Sequence, residues 1–303
     1  MTRTWRTTGL IAVGVALVAF GASLFVPLDR ELFSPARTLS LRITDRHGTL
    51  LREVLSEREG RGRWCSLAEI SPHVVNAVIA TEDARFFQHP GVDPLALLRA
   101  AWQNARARRI VSGGSTISMQ VIRNVYPAKR TLAAKLREAW LALRLERMMK
   151  KEDILLQYLN SIPFGNQVFG VDAAARLYFG KPPAQLSAAE AAFLAALPNS
   201  PTLNDPYRNL RRARERQRHI LLRMEEEGFL SKEERERAEQ EALVLAPLRA
   251  SFKAPHFTTM ILQNLPPAQR PGLEEIRTTL DESLQRTAEL MVQAHLARLR
   301  KHD

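Results

Sequence analysis

A mainly α-helical fold is predicted for residues 71–242, set behind an N-terminal apolar segment and followed by a short mixed stretch. Three observations carry this. Apolar residues recur at helical spacing through most of 71–242, between recognisable helix starts and stops. An uncharged run from Leu10 to Val26 stands apart at the N-terminus. Prolines cluster after Leu243, where the helical pattern breaks. With 303 residues, 45% of them hydrophobic, the chain can build a real core, which excludes disorder throughout.

The run Leu10–Val26 comes after Arg3 and Arg6 and ends at Pro27 and Asp29. Extended back through Thr7 it reaches about 20 residues, enough to cross roughly 30 Å of hydrocarbon. The basic flank predicts a cytoplasmic N-terminus and export of the chain beyond the run. Ala19, Gly21 and Ser23 would also suit a signal-peptide processing site, but the span is long for that purpose. Residues 1–30 are therefore read as a cytoplasmic tip and an uncleaved transmembrane anchor.

Residues 31–70 read as an extended lead-in. The stretch 39–43 alternates around Arg42, and Asp45-Arg46-His47-Gly48 turns the chain into Thr49-Leu50-Leu51. Ser71-Pro72 then starts a helix, with a capping hydroxyl and Pro at its first position. Val74, Val75, Val78 and Ile79 form its apolar face, and it runs out near Glu82. Further helices are expected over 94–109 and, after the Gly113-Gly114 break, through Gln120 to Val125. The longest is expected over 131–150, with Leu132, Leu136, Ala139, Leu143 and Met148 as its stripe. Another is expected over 151–160, then a turn at Pro163-Phe164-Gly165-Asn166 and a helix over 171–179 closed by Gly180. Ser187 and Glu190 form a capping box opening a very apolar helix to Leu197, stopped by Pro198 and Pro201. Helices over 209–228 and 231–242 complete the α-rich region. Residues 243–303 read as a linker and the start of another module, with 275–280 alternating like a strand and 281–300 helical.

The charge is +12, from 44 Lys and Arg against 32 Asp and Glu. The excess is concentrated: 99–151 holds 13 basic residues and only Glu138 and Glu146 as acids. Such a block suits an anionic partner such as nucleic acid, lipid headgroups or a phosphorylated substrate, unless it is a set of solvated helix faces. Export argues against nucleic acid. Cys65 is the single cysteine, which excludes an intramolecular disulfide and a cysteine-based zinc site.

Polar chemistry gathers in three places. Residues 81–93 pack Glu82, Asp83, His89 and Asp93 around Phe86, Phe87 and Gly91. A carboxylate at a helix end beside aromatics suits general-base work when desolvated, while the plainer reading of Glu82 is a solvated helix acid. His89 reads as the group that fixes the Pro90-Gly91 turn. Gly113-Gly114-Ser115-Thr116 before a helix presents backbone N–H groups suited to a phosphate oxygen, or is simply an N-cap after a loop. Lys135 and Glu138 are neighbours on one helix face, by default a surface ion pair.

Taken in order, these segments resemble the glycosyltransferase domain of class A penicillin-binding proteins, glycosyltransferase family 51. The resemblance rests on Glu82-Asp83, Phe86, His89, Gly91 and Asp93, on Gly113 to Thr116 with Gln120, on Lys135 and Glu138, on 151–160, on 170–181 and on Glu190 to Pro198. It covers about residues 71–240, and 90–92 with 99–103 look nearest the 1C branch. It implies a lysozyme-like glycosyltransferase fold at the outer face of the inner membrane, polymerising lipid II into glycan strands. Glu82 and Glu138 would then be catalytic, with Glu82 the general base. Asp83, Ser115, Thr116, Gln120, Arg123, Asn124 and Lys135 would meet substrate. Phe86, His89 and Gly91 would shape the turn. Glu138 would ligate a divalent cation, Mg or Mn, that helps the pyrophosphate depart. The implied partners are lipid II, the growing glycan strand, the membrane and other cell-wall synthesis proteins, but no nucleic acid.

Two departures stand out. Where many relatives have Thr-Gln-Gln this chain has Ser118-Met119-Gln120, which predicts a polar cleft contact replaced by a thioether. No Ser has Lys three residues on and there is no Lys-Thr-Gly, so these 303 residues are not expected to bind penicillin covalently. A lysozyme-like hydrolase and a non-catalytic lipid II or cell-wall scaffold are the competing functions.

Overall fold

A computed structural model describes residues 14–15, 18–19, 21–109, 113–129, 131–198, 203–248, 252–270 and 272–300. Residues 10–13, 16–17 and 20 of the expected span Leu10–Val26 lie outside them, and among the described residues no helix is long and apolar enough to cross a membrane. The end of that span is tied down. Trp140 Nε1 donates to Ser23 Oγ at 3.1 Å, and Arg144 donates to the Val26 carbonyl at 2.8 and 2.6 Å.

The lead-in forms β1 (Leu41–Thr44), β2 (Leu50–Val54) and β3 (Arg61–Gly62). Next come α1 (Pro72–Glu82), α2 (Pro94–Ala107), α3 (Ile117–Val125), α4 (Leu132–Met148) and α5 (Lys151–Ser161). The chain continues through β4 (Pro163–Gly165), β5 (Val168–Phe169), α6 (Val171–Phe179), α7 (Ala188–Ala195), α8 (Pro206–Glu226) and α9 (Lys232–Gln240). It ends with α10 (Pro255–Asn264), β6 (Glu275–Arg277) and α11 (Glu282–Leu299).

Two helical groups make the body. α1 packs on α7 and α8, and α3 packs on α4 and α5. Their shared core includes Ile79, Ile117, Ile122, Leu145, Tyr158 and Phe193, all buried. At roughly 1.5–3 kcal/mol for each large apolar side chain, such burial is the dominant favourable term. The helix ends obey the local chemistry. Ser187 accepts the Glu190 N–H while the Glu190 carboxylate accepts the Ser187 N–H, and Gly180 closes α6 in the left-handed region (φ 69°).

Several expectations change. Ser71 does not cap α1: its hydroxyl donates to the Leu186 carbonyl at 3.0 Å, and Pro72 already lacks an N–H to satisfy. Among the described residues α4, with 17 residues, is not the longest helix: α11 has 18, and α8 spans 21 across a non-helical break at Asn209. On α4 the expected stripe holds only in part: Leu132 and Leu136 face outward, 77% and 64% exposed, Ala139 and Met148 pack against the core, and the fully buried side is Leu141, Ala142 and Leu145. The turn near Pro163 is a hairpin instead: β4 and β5 pair through left-handed Asn166 and Gln167, and β5 runs parallel to β3. The proline-rich stretch holds α10, because Pro255 occupies the first helical position, where it costs no hydrogen bond. Lead-in and C-terminal segments share one sheet, ordered β2-β1-β6, with Ile43 opposite Arg52 on one side and Ile276 on the other.

Candidate active site

Glu82 and Asp83 close α1 and point in different directions. Glu82 is half-buried and accepts a hydrogen bond from Gln120 Nε2 at 2.8 Å. Asp83, with a side chain only 3% exposed, bonds His89 Nε2 at 2.9 Å and accepts the Ile117 N–H at 3.0 Å. The second contact places a carboxylate at the N-terminus of α3, where the helix dipole favours negative charge. His89 Nδ1 accepts the Gly91 N–H at 3.2 Å, so Nε2 is the protonated nitrogen that donates to Asp83. Gly91 sits at φ 106°, and a Cβ there would lie 2.7 Å from the Ala142 carbonyl oxygen. Its carbonyl accepts the Thr116 hydroxyl at 2.6 Å, and Thr116 Oγ1 caps α3 by accepting the Met119 N–H. The end of α1 and the start of α3 are thus locked around one buried polar network, which fixes Glu82 against Gln120.

Next along α3 lies a charged cluster. Arg123 grips Glu138 with both prongs, Nε to Oε1 at 2.9 Å and a terminal nitrogen to Oε2 at 3.0 Å, and Lys135 Nζ adds a contact at 3.1 Å. Ser115 Oγ accepts from both Arg123 and Lys135. Burial alone would raise the Glu138 carboxyl, but hydrogen bonds from Arg123 and Lys135 outweigh it and hold it below the ordinary range. Burial lowers Lys135, opposed by Glu138, while the Glu138 hydrogen bond raises Arg123. The Glu82 charge also acts favourably on Arg123, so the acid and the cluster share one field.

The cluster carries two cations on one carboxylate, suited to holding an anion. It does not suit a divalent cation by itself, since a hard cation takes several oxygen ligands and both Glu138 oxygens already meet Arg123 and Lys135. Beside Glu82 opens a cavity of about 280 Å³, lined among others by Arg85, Arg99, Gly114, Ser115, Thr116 and Arg223.

The structure therefore brings Glu82, Gln120, Arg123, Ser115, Lys135 and Glu138 together. Asp83 and Thr116 belong to the network beneath, with their polar atoms engaged inside the protein. Phe86 is fully buried in the core, and Asn124 is held through its carbonyl, which accepts from Arg58. Met119 is 1% exposed and lies in the core, so the thioether replaces no cleft contact. Sequence reasoning placed Lys151 in a matching segment but gave it no role; it donates to the His89 carbonyl and to Glu146 (2.7 Å each) and lies 4.3 Å above the Phe86 ring. The same reasoning missed Arg85, paired with Asp93, and Arg223 of α8, which enters the cavity wall from far along the chain.

The transglycosylase family model matches residues 47–225, which holds every residue of this site. Penicillin-binding protein 1C of Escherichia coli is 37% identical over 97% of this chain and 37% of its own length. Penicillin-binding protein 1A of Aquifex aeolicus is 39% identical over 97% of this chain and 42% of its own. A protein of Cupriavidus necator named as a transglycosylase is 42% identical over 61% of this chain and 78% of its own. The chain thus spans about two fifths of the two penicillin-binding proteins and most of the third. With a motif-bearing cleft inside the matched region, the chain belongs to the transglycosylase family, that of the peptidoglycan glycosyltransferases.

Proposed function

We propose that residues 71–242 polymerise lipid II into glycan strands at the outer face of the inner membrane. The observation that carries this reading is Glu82, held by Gln120 beside a cavity that Ser115 also lines, with Ser115 in turn bonded to the Arg123 and Lys135 that meet the single carboxylate of Glu138. Glu82 takes the proton from the 4-hydroxyl of the acceptor GlcNAc as that oxygen attacks C1 of the donor MurNAc. The new C1–O bond forms on the face opposite the leaving group, and the old C1–O bond breaks. Its electron pair leaves with undecaprenyl pyrophosphate, and the centre inverts. Arg123, Lys135 and Ser115 hold the departing phosphate oxygens, and Glu138 keeps the two cations oriented. Asp83 and His89 act beneath this surface by fixing the turn that carries Glu82.

The anchor reading is supported by the uncharged run Leu10–Val26 and by the contacts of Trp140 and Arg144 with the residues that end it. It would keep the cleft near its lipid-linked substrate. The test is glycan synthesis from purified lipid II by wild type and Glu82→Gln. Polymer from the wild type and a loss of at least about 10³-fold in the variant are expected. Equal rates would remove Glu82 from the reaction, and release of muropeptides from sacculi without lipid II consumption would make the chain a hydrolase.

A further inference from the structure

A larger cavity, about 800 Å³, lies between the β1–β2 hairpin and the α6–β5 side and shares no lining residue with the Glu82 cleft. Five arginines converge on it: Arg42, Arg52, Arg61, Arg63 and Arg176. Three carboxylates answer them. Glu275 pairs with Arg42 at 2.8 Å, Glu53 with Arg61 at 3.5 Å, and Asp172 is shared by Arg63 and Arg176 at 2.7 and 2.9 Å. Among the described residues Arg52 meets no carboxylate. It donates to the Thr259 hydroxyl at 3.1 Å and lies 4.9 Å from the Phe252 ring centroid. Two positive charges are therefore left over in a groove that also exposes the apolar surfaces of Leu55 and Phe252.

A ligand matching this lining is anionic and apolar at once. Guanidinium forks fit carboxylates in two-pronged geometry, and the exposed Leu55 and Phe252 beside them offer apolar contact that a bare phosphate cannot use. Acidic side chains alternating with apolar ones along an extended segment satisfy both. We infer that this groove docks an acidic, partly apolar peptide segment of a partner protein, with carboxylates on Arg52 and Arg176 and apolar side chains on Leu55 and Phe252. The groove is joined to the site. Arg58, on the turn between β2 and β3, donates to the carbonyls of Asn124 and Ser161, at the C-terminal ends of α3 and α5. One wall of the groove is thereby fixed to the helix that carries Gln120 and Arg123. The docking inference itself stands apart from the proposed reaction, because it is read by peptide binding alone.

The experiment uses the full chain in detergent and a fluorescein-labelled peptide of about ten residues alternating Glu and Leu, monitored by anisotropy. Saturable binding is expected, weakened at least about tenfold by Arg52→Glu and by Arg176→Glu, and weakened by added salt. Arg52→Gln, a milder change whose folding is checked by thermal melting, should weaken it at least about threefold. A matching Lys-Leu peptide should not bind. Unchanged affinity in all three variants overturns the inference, as does failure of the Glu-Leu peptide to bind. Displacement by muropeptides or inorganic pyrophosphate at lower concentration than by unlabelled peptide also overturns it, and assigns the groove to product or free phosphate.

Discussion

Gln120 bridges Glu82 to the buried Tyr158: its Nε2 donates to Glu82 Oε2 at 2.8 Å, and its Oε1 accepts the Tyr158 hydroxyl at 3.4 Å. Burial pushes the Tyr158 phenol well above its ordinary pKa, so it stays a donor and orients the amide with its nitrogen toward Glu82. A hydrogen bond to a charged group contributes about 1.5–3 kcal/mol, or roughly 10- to 100-fold in rate if it positions the base. Gln120→Leu is expected to lower kcat by that factor in lipid II polymerisation, and to cost about 1–3 kcal/mol of stability by leaving the buried Tyr158 hydroxyl without its acceptor. A variant within twofold of wild type would show that Gln120 does not position Glu82.

Glu138 should reveal itself through acid sensitivity. Its carboxyl lies below the ordinary value of 4.5, with burial opposing and the Arg123 and Lys135 hydrogen bonds prevailing. A carboxyl so shifted contributes stability that is complete above about pH 4.5 and is lost as the pH falls through the folded value. Because Arg123 is 39% and Lys135 36% exposed, solvent screens the pair, and Glu138→Gln should cost about 1–2 kcal/mol near neutrality. The gap from wild type, measured by urea unfolding, should narrow as the pH is lowered toward 3.5. A constant gap across that range would mean that the charge of Glu138 does not matter to the fold.

Gly91 tests the network beneath the base. At φ 106° a side chain is strained, and the added Cβ would press on the Ala142 carbonyl at 2.7 Å, an atom held in the α4 backbone. Gly91→Ala is expected to destabilise by about 2–4 kcal/mol, combining backbone strain with the forced separation of α4. Since the Gly91 N–H sets the His89 tautomer and its carbonyl holds Thr116, activity should fall even where the variant remains folded. Calorimetric melting within 2 °C of wild type would contradict this role for Gly91.

Local chemistry makes much of this site legible in the sequence. Glu82 at the end of α1, the Ser187–Glu190 box and Gly180 at the end of α6 are decided by neighbours within a few residues, and all three are found as expected. Contacts between distant segments are not legible. Nothing near Glu275 marks it as the partner of Arg42 and Thr44, and nothing near Arg223 marks it as a wall of the cleft. The α4 stripe misleads for a physical reason. Leu132 and Leu136 repeat at helical spacing yet face outward, so periodicity identifies the helix without saying which side is covered. The prolines after Leu243 mislead likewise, since Pro255 opens a helix instead of preventing one.

Met119 separates what motif comparison suggests from what the packing allows. Beside Gln120 in the chain, it resembles a lost polar contact, but one step along α3 turns a side chain by about 100°, and Met119 points into the core. Its neighbour Ser118 is also buried and donates to Glu146, which in turn pairs with Lys151. Restoring a glutamine by Met119→Gln would bury an amide among apolar side chains, at about 1–3 kcal/mol. Stability should therefore fall by that amount in urea unfolding, while kcat/KM for lipid II stays within about twofold at temperatures where the variant is folded. A gain in activity without loss of stability would place position 119 in the cleft after all and overturn the assignment of its thioether to the core.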